Sequence, residues 1–250
     1  MRKRTLLAVL GRGHMMEYPG GPFKPTRDFD NWVLGGDPST ARPDVLAEKN
    51  DDDENSVIGG GELNLAAGLA LYAELDPVAI VFAYGDNSPA LAAKGFPSES
   101  SVVSQIFLET ANKKFGETPN VLVFDAGFWD TKGKASGTFN EIRNILRLAN
   151  HLEANEVVIV TILVHMTRAI AMLEKHLRDP EFTTLRSKVR FEVTESVLLR
   201  VNPADYAERA WEIFGSKSYH RNLQRETNGL AALMKGTTQT NQPGVVLSTK

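Results

Sequence analysis

Two apolar patterns take turns along the chain. Short runs rich in β-branched residues recur at RTLLAVLG (4–11), VAIVFAYG (78–85), NVLVFDAG (120–127), EVVIVTILV (156–164) and KVRFEVTES (188–196). A near-continuous run such as Val157, Val158, Ile159, Val160 and Ile162 suits a strand covered on both faces, where neither side of the pleat meets water. Between these runs apolar residues return at helical spacing, as Ile142, Leu146 and Ala149 do. The segments concerned are GELNLAAGLALYAEL (61–75), SESSVVSQIFLETANKKFG (98–116), TFNEIRNILRLANHLEA (138–154) and HMTRAIAMLEKHLRD (165–179). Strands alternating with helices predict an α/β domain, a mainly parallel sheet of about five strands with helices on both faces.

Local signals place the boundaries. Ser98 or Ser100 can cap the second helix, Ser136 or Thr138 the third, and Gly116 closes the second. Residues 14–58 break the alternation. Rich in Pro, Gly and Asp, with the acidic run DDDE at 51–54, they form a long excursion without strong periodicity. The α/β domain is expected over 1–197, a helical C-terminal extension over 198–238 (ADYAERAWEIFG, then LQRETNGLAALMKG), and a frayed tail over 239–250.

Composition narrows the chemistry. The formal charge of -3 and a pI near 6.0 give no global basic field, which argues against nucleic acid as the main partner and favours a small molecule. The absence of cysteine from the sequence excludes disulfides, thiolate metal sites and cysteine nucleophiles, and a cytoplasmic setting fits best. The apolar stretch Leu6–Leu10 is shorter than the roughly 7–15 residues of a secretory h-region, and no window approaches the ~18 apolar residues of a membrane span. The acidic run at 51–54 offers oxygen ligands to magnesium or calcium but reads as a solvated loop, and no zinc-binding HExxH spacing surrounds His14 or His165. No metal is expected.

In an open parallel sheet, ligands bind beyond the carboxyl ends of the strands, where helix N-termini present free N–H groups. The residues following each run are therefore the candidates: Gly11, Arg12 and Gly13 after the first, Gly85 and Asp86 after the second, Asp125 in the third, Thr161 through Arg168 after the fourth. Gly11 and Gly13 lack the third glycine and the adjacent helix of a dinucleotide fingerprint, so a standard NAD site is not expected. His165 and Arg168 lie three apart, on one face of a helix's first turn. There His165 can serve as a neutral donor or base, the catalytic candidate, and Arg168 can grip a carboxylate or phosphate with two parallel bonds. The alternative is structural: His165 capping locally and Arg168 paired with a carboxylate such as Glu141.

The stretch Val160-Thr161-Ile162-Leu163-Val164-His165-Met166-Thr167-Arg168-Ala169 resembles the signature of the YdcF/SanA/ElyC-like proteins, the domain of unknown function 218. Supporting landmarks are the glycine turn at Gly11, the helix ending from Ala67 to Tyr72, Ser98-Glu99 at a helix start, and Ser136-Gly137-Thr138-Phe139-Asn140-Glu141 in place of the Ser-x-Asn-Thr-x-Glu-Asn box. Departures include that box, one residue short with its last two members exchanged, and Ala83-Tyr84-Gly85 where the family usually has Ser-Gly-Gly. The resemblance covers roughly residues 4–180. It implies a Rossmann-like three-layer fold with a pocket at the sheet's carboxyl edge, and adds Glu99, Thr138, Asn140 and Glu141 to the candidate ligand-binding residues. A YdcF-like member binds S-adenosylmethionine, which makes that compound the candidate ligand. SanA- and ElyC-like members are membrane-anchored and connected with envelope integrity, and this chain is expected to sit with the soluble kind.

Two functions follow. One is an enzyme, a transferase or hydrolase acting on a nucleotide-like or phosphorylated small molecule, with His165 as acid or base. The other is a noncatalytic module, sensing such a ligand or acting as a scaffold in envelope maintenance. A homodimer through the C-terminal helices is compatible with both.

Overall fold

The structure, a computed structural model, describes residues 3–12, 14–16, 22–25, 31–32, 57–58, 60–82, 97–116, 122–125, 137–215 and 217–236. In chain order they form β1 (Thr5–Val9), β2 (His14–Met16), β3 (Phe23–Pro25), β4 (Asn31–Trp32), β5 (Val57–Ile58), α1 (Gly61–Leu75), β6 (Ala79–Phe82), α2 (Glu99–Phe115), β7 (Leu122–Asp125) and α3 (Thr138–His151). There follow β8 (Glu156–Thr161), α4 (Leu163–His176), β9 (Val189–Val193), α5 (Thr194–Val201), α6 (Pro203–Gly215) and α7 (Lys217–Met234). One sheet runs in the order β7-β6-β1-β8-β9, with every neighbouring pair parallel. This is the expected α/β, Rossmann-like three-layer arrangement.

Alternation along the strands divides the core into two layers. Leu6, Ala8, Leu10, Val157 and Ile159 pack on one face with Ile142 and Ile145 of α3 and Met172 and Leu173 of α4. Leu7, Val9, Val158 and Val160 pack on the other with Leu71 of α1, Val103 and Phe107 of α2 and Val197 and Leu198 of α5. The C-terminal helices belong to this body: Ile213 of α6 joins the second layer and Leu233 of α7 the first.

Strand order decides where a ligand can bind. From β1 the chain steps outward through β6 to β7, then returns to the other flank of β1 for β8 and β9. Crossovers therefore diverge beyond the carboxyl ends of β1 and β8, the crevice where doubly wound sheets bind ligands. Register puts Asp125, Phe82, Val9 and Val160 in one row across that edge, with Thr161 paired to Val193 beside it. Gly11, Arg12, Asp125, Thr161 and His165 thus belong to one edge of the sheet, as the sequence pattern requires.

Several boundaries differ from the sequence reading. The apolar run 156–164 is not all strand: β8 stops at Thr161 and α4 starts at Leu163, with Ile162 as a cap that offers no side-chain hydrogen bond. Fifth-strand pairing stops at Val193, where Thr194 opens α5. Gly137 rather than a serine or threonine stands at the cap of α3, and Ser136 lies outside the described residues. Ser98 does cap α2, its hydroxyl accepting from the Ser101 N–H at 3.2 Å, and Gly116 closes that helix at φ 73°. The described parts of the excursion are not featureless, since β2 pairs antiparallel with β3 and β4 with β5. Residues 239–250 lie outside the description.

Candidate ligand site at the switch point

Arg12 follows β1, and His165 and Arg168 occupy the first two turns of α4, which follows β8. All three converge on one carboxylate, that of Glu226 in α7. The Arg168 Nε–H and Nη2–H both donate to it, the latter at 3.1 Å to Oε1. His165 Nδ1 lies 3.0 Å from the same Oε1, and Arg12 Nη1 3.7 Å from it. The alternative weighed for Arg168, a structural carboxylate partner, is present here with Glu226 rather than Glu141 as the partner. The Arg12 side chain is 7% exposed and that of Arg168 27%, so the first is enclosed while the second is partly open to solvent.

Helix α7 is built to lie close over this point. Asn222, Glu226, Gly229 and Leu233 follow one another at helical spacing, and the first two and the last are buried. Gly229 matters sterically, because a Cβ there would stand 3.1 Å from Arg168 Cδ. With no side chain at 229, the helix backbone packs against the arginine stem and carries Glu226 to the guanidinium. Toward its start, α7 brings Tyr219 near Glu195, since burial and then the charge of Glu195 raise the Tyr219 hydroxyl above its ordinary value.

The hydrogen-bond geometry assigns the histidine tautomer. Nδ1 faces the Glu226 oxygen at 3.0 Å and Arg168 Nη2 at 3.4 Å. A lone pair on Nδ1 would confront a carboxylate oxygen at 3.0 Å, whereas an Nδ1–H donates to it, a closer contact than the 3.4 Å to Arg168 Nη2. Nδ1 therefore carries the proton and Nε2 the lone pair. His165 is 1% exposed, and burial, reinforced by the two guanidiniums, pushes its pKa below the ordinary histidine value despite Glu226. It is neutral near pH 7. Burial alone would raise the Glu226 carboxyl, but His165, Arg168 and Arg12 outweigh it and hold Glu226 well below the usual carboxylate range.

Around the start of α4 several buried polar atoms have no hydrogen-bond partner among the described residues: Thr161 Oγ1, His165 Nε2 and Glu195 Oε1, with Asn222 Nδ2 on α7. The other Glu195 oxygen accepts the Leu163 N–H at 2.9 Å, filling the capping role that Ile162 cannot. Burial raises the Glu195 carboxyl, against the hydrogen bonds from its own and the Leu163 N–H. Buried groups left without partners are uncommon in folded proteins and mark places where a ligand or solvent completes the set.

The other expected residues divide. Glu99, first in α2, reaches the site's rim: its Oε1 accepts the Arg12 backbone N–H at 2.9 Å. Gly11 is half-buried beside it. Asp125 ends β7 on the same edge, its side chain outside the description. Thr138, Asn140 and Glu141 open α3, with Glu141 buried. Gly13, Gly85 and Asp86 lie outside the described residues. Sequence reasoning missed Glu195, Asn222 and Glu226. For Asn222 and Glu226 the available signal was polar residues on the inward stripe of α7 that ends in Leu233, where burial calls for apolar side chains.

Among the described residues no group of histidines and carboxylates could hold a metal ion, and no helix is long and apolar enough to cross a membrane. No family model matches the chain, and neither a curated protein nor a solved structure matches it.

Proposed function

We propose that this chain binds an anionic or nucleotide-like small molecule at the carboxyl edge between β1 and β8, and acts on it through His165. S-adenosylmethionine is the ligand that the YdcF-like resemblance suggests. The observation carrying this reading is the cluster of buried, partnerless polar atoms at the switch point, Thr161 Oγ1, His165 Nε2 and Glu195 Oε1, beside two arginines. The partly exposed Arg168 side chain is the group suited to a ligand carboxylate or phosphate. Glu226 favours one competing reading: with its carboxylate already held by the arginines, the cluster also suits a noncatalytic sensing or scaffold module.

A thermal-shift panel tests the proposal. A compound present at 100 times its Kd stabilises the fold by about 2.7 kcal/mol, which for a chain of this size raises Tm by about 5–10 °C. S-adenosylmethionine, S-adenosylhomocysteine, adenosine, nucleoside phosphates and inorganic phosphate form the panel. A shift with the adenosyl or phosphorylated compounds supports the reading, and no shift with any of them refutes it. Turnover lost in His165→Asn with binding retained separates the enzyme from the sensor.

A further inference from the structure

The structure assigns Glu226 as the positioning residue that presents His165 Nε2 to the ligand as a standing proton acceptor, so the group received there is a hydroxyl or amine of a nucleoside-like molecule. This deepens the proposed function and rests on it for the identity of the site. Three observations carry it. His165 Nδ1 is engaged by Glu226 at 3.0 Å, which leaves the lone pair at Nε2. Nε2 is buried with no partner among the described residues. Its partnerless companion Glu195 Oε1 is also an acceptor and the Thr161 hydroxyl can accept or donate; both flank the start of α4, which Glu195 caps through the Leu163 N–H at 2.9 Å.

The complementarity is thus divided. The Arg168 guanidinium donates to Glu226 and Arg12 Nη1 stands 3.7 Å from it, while beside α4 the unmatched His165 Nε2 and Glu195 Oε1 accept hydrogen bonds, Thr161 Oγ1 can do either, and Asn222 Nδ2 on α7 donates. A ligand completing the part beside His165 Nε2 and Glu195 Oε1 supplies O–H or N–H groups, and an anionic portion belongs toward the partly exposed Arg168 side chain. Should chemistry follow, the ligand O–H bond breaks, an Nε2–H bond forms, and the electron pair stays on the ligand oxygen. The resulting imidazolium keeps its Nδ1–H bond to Glu226, whose negative charge stabilises it. An imidazole held by a carboxylate on its far nitrogen is the arrangement that fixes tautomer and ring orientation for such a transfer.

Nitrogen-15 spectroscopy of histidine-labelled protein tests this at pH 7. The expected His165 pattern is a protonated Nδ1 and a bare Nε2; an Nε2–H tautomer or a doubly protonated ring overturns the assignment. In Glu226→Gln the Nδ1–H preference should weaken to a mixture of tautomers, and an unchanged pattern in the folded variant removes Glu226 from the positioning role. Should that variant not fold, Glu226→Asp, which keeps the charge but shortens the reach, serves in its place with the same expectation. Adenosine and inorganic phosphate are then the probes for the wild-type protein. A shift of Nε2 with adenosine supports the donor-bearing ligand; a shift with phosphate alone, or with neither, overturns it. A wrong tautomer alongside thermal stabilisation by adenosyl compounds sinks only this inference, whereas the right tautomer with no stabilisation anywhere in the panel sinks the ligand reading itself.

Discussion

Glu226→Gln is the substitution with most at stake. Gln keeps the shape and one oxygen acceptor but loses the charge, and it places an amide N–H₂ where donors already converge. The wild-type carboxylate receives two bonds from Arg168 and one from His165, with Arg12 Nη1 3.7 Å away. Breaking a buried ion pair costs about 3–5 kcal/mol because the remaining charge is left without compensation. Here the Arg168 side chain is partly open to water, and the enclosed Arg12 keeps the charges of Glu99 and Glu195 in its surroundings. The lower end is therefore expected, about 3 kcal/mol, which lowers Tm by about 6–12 °C in a domain of this size. Urea denaturation at pH 7 measures it, with Arg186→Ala as the control. That residue pairs with Glu174 at 3.0 Å with both side chains about half exposed, so its loss should cost at most about 1 kcal/mol. If Glu226→Gln is no more harmful than this control, the carboxylate does not hold the two arginines together, and the account of the site is wrong.

Other perturbations should behave as follows. Arg168→Lys keeps the charge but loses the two-pronged grip on Glu226, and should destabilise by about 1–2 kcal/mol with or without ligand; an effect seen only in ligand affinity would mean the pairing is not structural. Gly68→Ala places a Cβ 2.9 Å from Val9 Cγ2, so despite a better helix former it should cost about 1–2 kcal/mol, partly recovered by adding Val9→Ala; an unchanged urea midpoint would contradict the packing. His165 and His176 both have pKa values lowered below 6.5 by burial, so the unfolded chain binds protons first, and stability present above about pH 6.5 is lost as pH falls through the lowered values. Between pH 7.5 and 5.5 the decline should be shallower in His165→Asn than in the wild type; equal slopes would mean His165 is not buried neutral. Glu195, shifted the opposite way, is common to both proteins and cancels in that comparison.

The sheet could be read from the sequence because its strands lie between two helical layers, so that burial on both faces writes itself as unbroken apolar runs. The same property hid the junction at 162–164. Ile162 and Val164 are buried in the second core layer just as Val158 and Val160 are, so hydrophobicity passes smoothly from strand to helix with no change of pattern. The helix start carries no local capping signal either. Its first free N–H is satisfied by Glu195, 32 residues further on, and no window of sequence contains both partners. Glu226 is more distant still, 58 residues from Arg168. Arg12, His165 and Arg168 were legible because strand ends in a parallel sheet are places where chemistry gathers, a rule that needs only the strands. The roof over them depends on how the last helix packs.

Glycine 229 shows why that packing is specific. An ordinary inward stripe on α7 would bury larger apolar residues against α4 and hold the helices apart. Instead the stripe runs Asn222, Glu226, Gly229, Leu233, with an amide and a carboxylate buried on the face toward the sheet edge and a bare backbone against the stem of Arg168. A core selected for stability alone gains nothing from this choice, since replacing a buried ion pair with apolar side chains of similar volume is often neutral or stabilising. What the polar stripe does supply is orientation. It fixes one proton on His165 and leaves the opposite nitrogen bare. Helix α7 therefore walls the candidate site, the part of the chain that turns a generic sheet edge into a particular arrangement of donors and acceptors.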